Sequence, residues 1–122
     1  MKRYLILLPL ILCIGCTPIE RTAYNTAVAS KAFLDSIKSK HPECATDMTT
    51  LCSDLRKATA AKDLLIDAGE AYCNQASYPS TDVTACSPAP KGTPAYSQAI
   101  AALNSAISGY KQAESDLKAV TN

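Results

Sequence analysis

The sequence predicts an all-α fold, an antiparallel three-helix bundle held by two local disulfides. Three observations lead there. Glycine is scarce, with four residues in 122, and tryptophan is absent, while alanine is abundant and falls wholly after residue 16. Alanine is the strongest helix former and glycine among the weakest, and there is no β-branched alternation of the kind a strand would show. Apolar residues recur instead at three- and four-residue steps over three stretches of similar length. Four cysteines, Cys44, Cys52, Cys73 and Cys86, lie near the two ends of the middle stretch.

The first helix is expected over residues 18–40. Thr17-Pro18-Ile19-Glu20 places a capping hydroxyl, a proline at the first helical position and a glutamate three residues after the cap. That capping-box arrangement satisfies two of the free amide donors at a helix start. Tyr24, Ala27, Val28, Leu34 and Ile37 form its apolar stripe, and Phe33 lies off the densest part of it, free to face solvent. Lys31, Asp35 and Lys38 are spaced to pair along the outside, each pair contributing only ~0.2–0.5 kcal/mol. His41-Pro42 ends the helix, because a residue before proline is pushed out of the helical region.

A second helix is expected over 47–73, capped by Thr46 or Asp47, with Met48, Leu51, Leu55, Ala58, Ala61, Leu65, Ala68 and Tyr72 down one face. A third, over 94–120, opens with Thr93-Pro94, again a cap followed by proline. Tyr96, Ile100, Leu103, Ile107, Tyr110 and Leu117 follow a near-heptad spacing interrupted at Glu114. Residues 74–92 between them are rich in Ser, Thr and Pro, a loop of unusual length for a compact domain. At 1.5 Å per residue the helices measure roughly 35–40 Å each, and matched lengths with one-sided stripes suit a bundle.

Those lengths select the disulfides. Four cysteines allow three pairings. Cys52 and Cys73 would sit roughly 31 Å apart on one helix, whereas a disulfide needs Cα atoms within about 7 Å. Joining Cys44 to Cys73 fails for the same reason, which leaves Cys44–Cys52 with Cys73–Cys86. Zinc is not expected. The spacing C-x7-C-x20-C-x12-C lacks the close pairs of structural zinc sites.

The amino-terminal stretch carries a different signal. Lys2 and Arg3 precede an apolar run from Leu5 to Ile14, too short to span a bilayer and laid out as a secretory signal peptide. Ile14-Gly15-Cys16 resembles the end of a bacterial lipobox, with Cys13 where that motif usually has leucine. The resemblance implies removal of residues 1–15, a lipid-bearing (palmitoylated) Cys16 and a lipid-anchored helical domain over 16–122. Cysteine parity agrees: removing Cys13 alone leaves an odd five, and lipidating Cys16 leaves four for two disulfides. Thr17 is not the aspartate that often retains such proteins in the inner membrane, so a Gram-negative host would place the chain on the outer membrane, facing the periplasm.

Composition narrows the function. Removing Lys2 and Arg3 takes the formal charge from +1 to −1, and no basic patch invites nucleic acid. His41 is the one histidine, nothing beside it builds a nucleophilic site, and no glycine-rich phosphate loop exists, so neither an enzyme nor a cofactor is expected. Asp63, Asp67 and Glu70 form an acidic row on the second helix that could chelate a cation but reads first as a solvated face. The expected function is non-catalytic: an anchored cell-envelope protein that docks an envelope protein partner on its distal turn, through His41, Glu43 and Phe33. The alternative is a carrier of a small ligand or ion between the helices. An exposed apolar groove flanking Phe33 would favour docking, and an enclosed cavity lined by the tyrosines would favour the carrier.

Overall fold

The structure is a computed structural model that describes residues 18–75, 78–79 and 86–121. The lipobox, Cys16 and the Thr17 cap lie outside the described residues. Among the described residues three helices run α1 (Pro18–Lys40), α2 (Thr50–Cys73) and α3 (Pro94–Thr121), with one 3-10 turn, Pro42–Ala45, between the first two. They form the antiparallel bundle that the stripes predict. Glu20 near the start of α1 accepts a hydrogen bond from the Tyr72 hydroxyl at the end of α2, 2.8 Å away. Tyr72 in turn packs on Tyr96 at the start of α3, with ring centroids 6.1 Å apart. At the opposite end, Lys118 of α3 lies over the Phe33 ring of α1.

The core follows three- and four-residue steps along α1 and most of α2. Ala23, Ala27, Ser30, Leu34 and Ile37 are the buried positions of α1, and Cys52, Leu55, Ala58, Leu65, Gly69, Tyr72 and Cys73 those of α2. Small residues at the seam let the helices approach closely, so Ser30 belongs to the core and donates its hydroxyl to the Ala27 carbonyl at 2.7 Å. Val28, expected on the stripe, is 46 % exposed. The seam is one residue out of phase with the greasiest choice. Along α3, Leu103, Ile107, Tyr110 and Leu117 are buried. Glu114 interrupts them half-buried, accepting from the Tyr110 hydroxyl at 3.1 Å and pairing with Lys118 at 3.6 Å. Among the described residues, Lys31, Asp35 and Lys38 make no ion pair.

Both expected disulfides are present, Cys44–Cys52 with Cα atoms 5.0 Å apart and Cys73–Cys86 with Cα atoms 4.3 Å apart. α2 is continuous through Gly69, as the pairing argument requires. Its start differs from expectation. The cap is Thr49, whose hydroxyl accepts from the Cys52 amide at 3.3 Å, and the helix opens at Thr50 rather than 47. Thr46 and Asp47 are occupied in the preceding turn, where both amides donate to the Glu43 carbonyl. Met48 consequently stands on the connection, 69 % exposed, instead of on the core face.

The long connection is tied to α2. Asn74 adopts the left-handed conformation that closes a helix and donates its amide to the Glu70 carbonyl. Its side chain donates to the Ser87 carbonyl at 2.7 Å, and the Ser87 amide donates to the Cys73 carbonyl at 2.9 Å. Tyr78 packs edge-on to Tyr24 and fills the space above Gly69, leaving only 7 % of its surface exposed. A Cβ at position 69 would overlap its ring, so glycine is required there by close approach. Burial, then the neighbouring Tyr24 and Glu20, push the Tyr78 phenol up to about 12.

Candidate functional site

The feature best suited to recognition is the turn that joins α1 to α2. Pro42 stops α1, and the His41 amide still reaches back to the Ile37 carbonyl at 3.0 Å. The Cys44 amide then donates to the His41 carbonyl at 3.1 Å, winding the 3-10 turn. Cys44 is pinned to α2 twice, by its disulfide and by Arg56, whose Nη2 donates to the Cys44 carbonyl at 2.9 Å. His41 Nδ1 sits 3.0 Å from Glu43 Oε2. The Glu43 carboxyl is held below its usual range, first by its own backbone amide and then by that histidine.

This turn walls one end of an open groove between α1 and α2, of about 560 Å³. Its floor is apolar, made by Pro42, Cys44, Ala45, Leu55 and Ala60, with Leu55 and Cys44 buried. Lys38, His41, Arg56 and Asp63 stand around it. The size lies within the ~300–1,000 Å³ of typical ligand sites, but the groove is open to solvent rather than enclosed.

The sequence-predicted residues are distributed unevenly about it. His41 lines the groove, and Glu43 stands behind His41 as its hydrogen-bond partner. Phe33 is half-buried on the side of α1 that meets α3, where Lys118 Nζ lies 5.4 Å from its ring centroid, so it is not brought together with the other two. Contrary to expectation, Phe33 does not line the groove. Asp63 reaches the groove and pairs with Lys62 at 3.0 Å, while Asp67 and Glu70 lie outside the lining. The acidic row does not converge on a common point among the described residues; the donors that do are Glu43, Cys44 and Cys52, within 4.8 Å. Both sulfurs of that group are consumed in the disulfide.

Lys38 and Arg56 were not legible as site residues. Lys38 reads as half of a surface ion pair, and Arg56 as an unremarked charge on α2. The available signal was spacing: Arg56 follows Cys52 by one helical turn, on the face that the disulfide turns toward Cys44.

A second groove, of about 520 Å³, runs along the α2–α3 seam between Ala61, Leu64 and Ala68 on one side and Ala102, Ala106 and Gly109 on the other. Of the tyrosines, Tyr110 lines that groove, whereas Tyr24, Tyr72, Tyr78 and Tyr96 pack in pairs. Comparison of the chain with protein-family models, curated proteins and solved structures finds no match.

Proposed function

We propose that this chain is a non-catalytic, lipid-anchored cell-envelope protein that docks a protein partner in the groove at its distal turn. The observation that carries the reading is the groove itself: an apolar floor open to solvent, on a turn held by the Cys44–Cys52 bond and Arg56. A surface already ordered loses little conformational entropy when it binds. The tyrosine pairs are packed against one another and the core, which weighs against the carrier reading.

The anchoring rests on the lipobox-like Ile14-Gly15-Cys16 and on parity, since two disulfides use the four cysteines that follow Cys16. Among the described residues no helix is long and apolar enough to cross a membrane. α1 begins at Pro18, two residues after Cys16 in sequence, and its 23 residues carry the turn roughly 35 Å from the helix's own start. In a Gram-negative host that turn would face the periplasm from the outer membrane.

Two measurements test this. Cys16→Ser should move the chain from the membrane to the soluble fraction, and unchanged partitioning would remove the anchor from the reading. A photo-activatable phenylalanine analogue at Thr59, in the groove, should give a discrete envelope-protein adduct that the same probe at Ser108 on α3 does not. Equal adducts at both positions, or none at Thr59, would overturn docking at the groove.

A further inference from the structure

We infer that the segment seated in the distal groove is acidic: a short stretch of the partner that lays an apolar side chain on the floor and presents carboxylates to the groove's cations. The inference rests on the docking reading above and adds the chemistry of the occupant. Four titratable or charged side chains line the groove, and two of them are already answered. Asp63 pairs with Lys62 at 3.0 Å, and His41 is engaged by Glu43 at 3.0 Å. Lys38 and Arg56 have no carboxylate within ion-pair distance among the described residues. Even with the Glu43 carboxylate behind His41 counted against them, the two cations leave the groove with a positive excess, although the chain without Lys2 and Arg3 is slightly acidic as a whole. That local excess is a property of the site and not of a basic protein.

Arg56 is also placed in advance. One N–H is spent on the Cys44 carbonyl, which fixes the guanidinium against the disulfide-bonded turn. The remaining donors of its planar fork match a carboxylate in geometry, and a fixed fork has less freedom to lose on binding. The same groove is lined by the apolar Pro42, Ala45, Leu55 and Ala60. A purely ionic ligand would leave that floor wet, and a purely apolar one would strand Lys38 and Arg56 against it. A peptide alternating apolar and acidic residues satisfies both.

The test uses the full chain in neutral detergent with disulfides intact and two labelled synthetic octapeptides, one alternating leucine with glutamate and the other leucine with lysine. The glutamate peptide should bind at least ~10-fold more tightly, a difference of about 1.4 kcal/mol. Its affinity should fall as salt is raised, and the amide resonances it shifts should centre on Lys38, Thr59 and Ala60. Lys38→Gln should weaken it several-fold while lowering the melting temperature by no more than a few degrees, because the Lys38 ammonium makes no ion pair in the fold and contributes only its favourable place in the last turn of α1. Arg56→Lys keeps the charge but loses the fork and should fall between. Equal affinity for the two peptides would overturn the inference, as would shifts centred on the α2–α3 seam. The same resonances moving with phosphatidylglycerol vesicles, but not with the glutamate peptide, would assign the groove to lipid headgroups and also overturn it. A Thr59 adduct together with peptide indifference would sink the acidic chemistry alone; absence of the adduct would sink the docking reading itself.

Discussion

Two glycines inside helices of this bundle should respond to the same substitution with opposite signs. Gly109 lies in α3 with nothing within 4 Å of where its Cβ would be. Alanine there gains helix propensity of ~0.5–1 kcal/mol and meets no neighbour. For a domain of this size such a gain raises the melting temperature by a few degrees, at ~4–8 °C per kcal/mol. Gly69→Ala gains the same propensity but drives its methyl group into the Tyr78 ring. Expelling a tyrosine that buries ~150–250 Å² would cost ~4–6 kcal/mol at ~25 cal/mol per Å². A ring that tilts rather than leaves costs the ~1–3 kcal/mol typical of overpacking. Net of the gained propensity, Gly69→Ala should lose up to ~2.5 kcal/mol if the ring tilts and ~3–5.5 kcal/mol if it leaves. Urea unfolding followed by circular dichroism, without reductant, measures both variants. A double-mutant cycle sharpens the test: in a Tyr78→Ala background Gly69→Ala should stabilise, as Gly109→Ala does. Gly69→Ala that stabilises the otherwise native chain as much as Gly109→Ala would refute the account of Tyr78 as the residue packed on this helix.

Other outcomes follow from the caps, the loop and the turn. Thr49→Ala should cost ~1 kcal/mol by removing the acceptor for the Cys52 amide, and Thr46→Ala less; chemical denaturation of the two variants compares them. Tyr78 has an unfolded value near ~10 and a folded value raised to about 12, so its contribution is complete below pH 10 and lost as pH climbs toward 12. Stability should fall more steeply over that window in the native chain than in Tyr78→Phe, whose tyrosinate absorbance should lack one late-titrating phenol. Tyr110 is raised too, by burial and then by Glu114, and remains late in both. Replacing Cys44 and Cys52 together by serine should cost ~2–3 kcal/mol, with chemical-shift changes confined to the turn and the first turns of α2.

The architecture was legible because its rules are long-range in consequence but local in sequence. Thr93-Pro94 announces α3, and Thr93 does accept from the Tyr96 amide at 3.2 Å. The span between Cys52 and Cys73 excluded two disulfide pairings from helix length alone. What failed to show did so for physical reasons. Thr46, Asp47, Thr49 and Thr50 all compete as caps, and the winner depends on how many residues the 3-10 turn uses first. Val28 outranks Ser30 in hydrophobicity, yet close helix approach rewards small volume over apolar area. Tyr78 sits in a polar loop with no periodic pattern around it. Its partner was visible only as an unexplained glycine four residues before the end of a helix. The groove was hardest to foresee, since Lys38 on α1 and Arg56 on α2 meet only once the turn is folded.

α2 explains why such a groove can be preformed in so small a protein. At its start the Cys44 disulfide and the Arg56–Cys44 bond fasten the turn. At its end the Cys73 disulfide, the Ser87 bonds and Tyr78 fasten the long connection. Between Arg56 and Gly69 run thirteen helical steps, roughly 20 Å, filled by Ala58 and Leu65 with no shared partner among the fastenings. Effects at sites that far apart add to within ~0.3–0.5 kcal/mol. Combining Gly69→Ala with serine at Cys44 and Cys52 should therefore give the sum of the separate losses. Loosening the loop end alone should leave the groove resonances where they are. A coupling above ~1 kcal/mol would mean that the two ends share one cooperative element, and the groove's shape would then depend on how Tyr78 is seated.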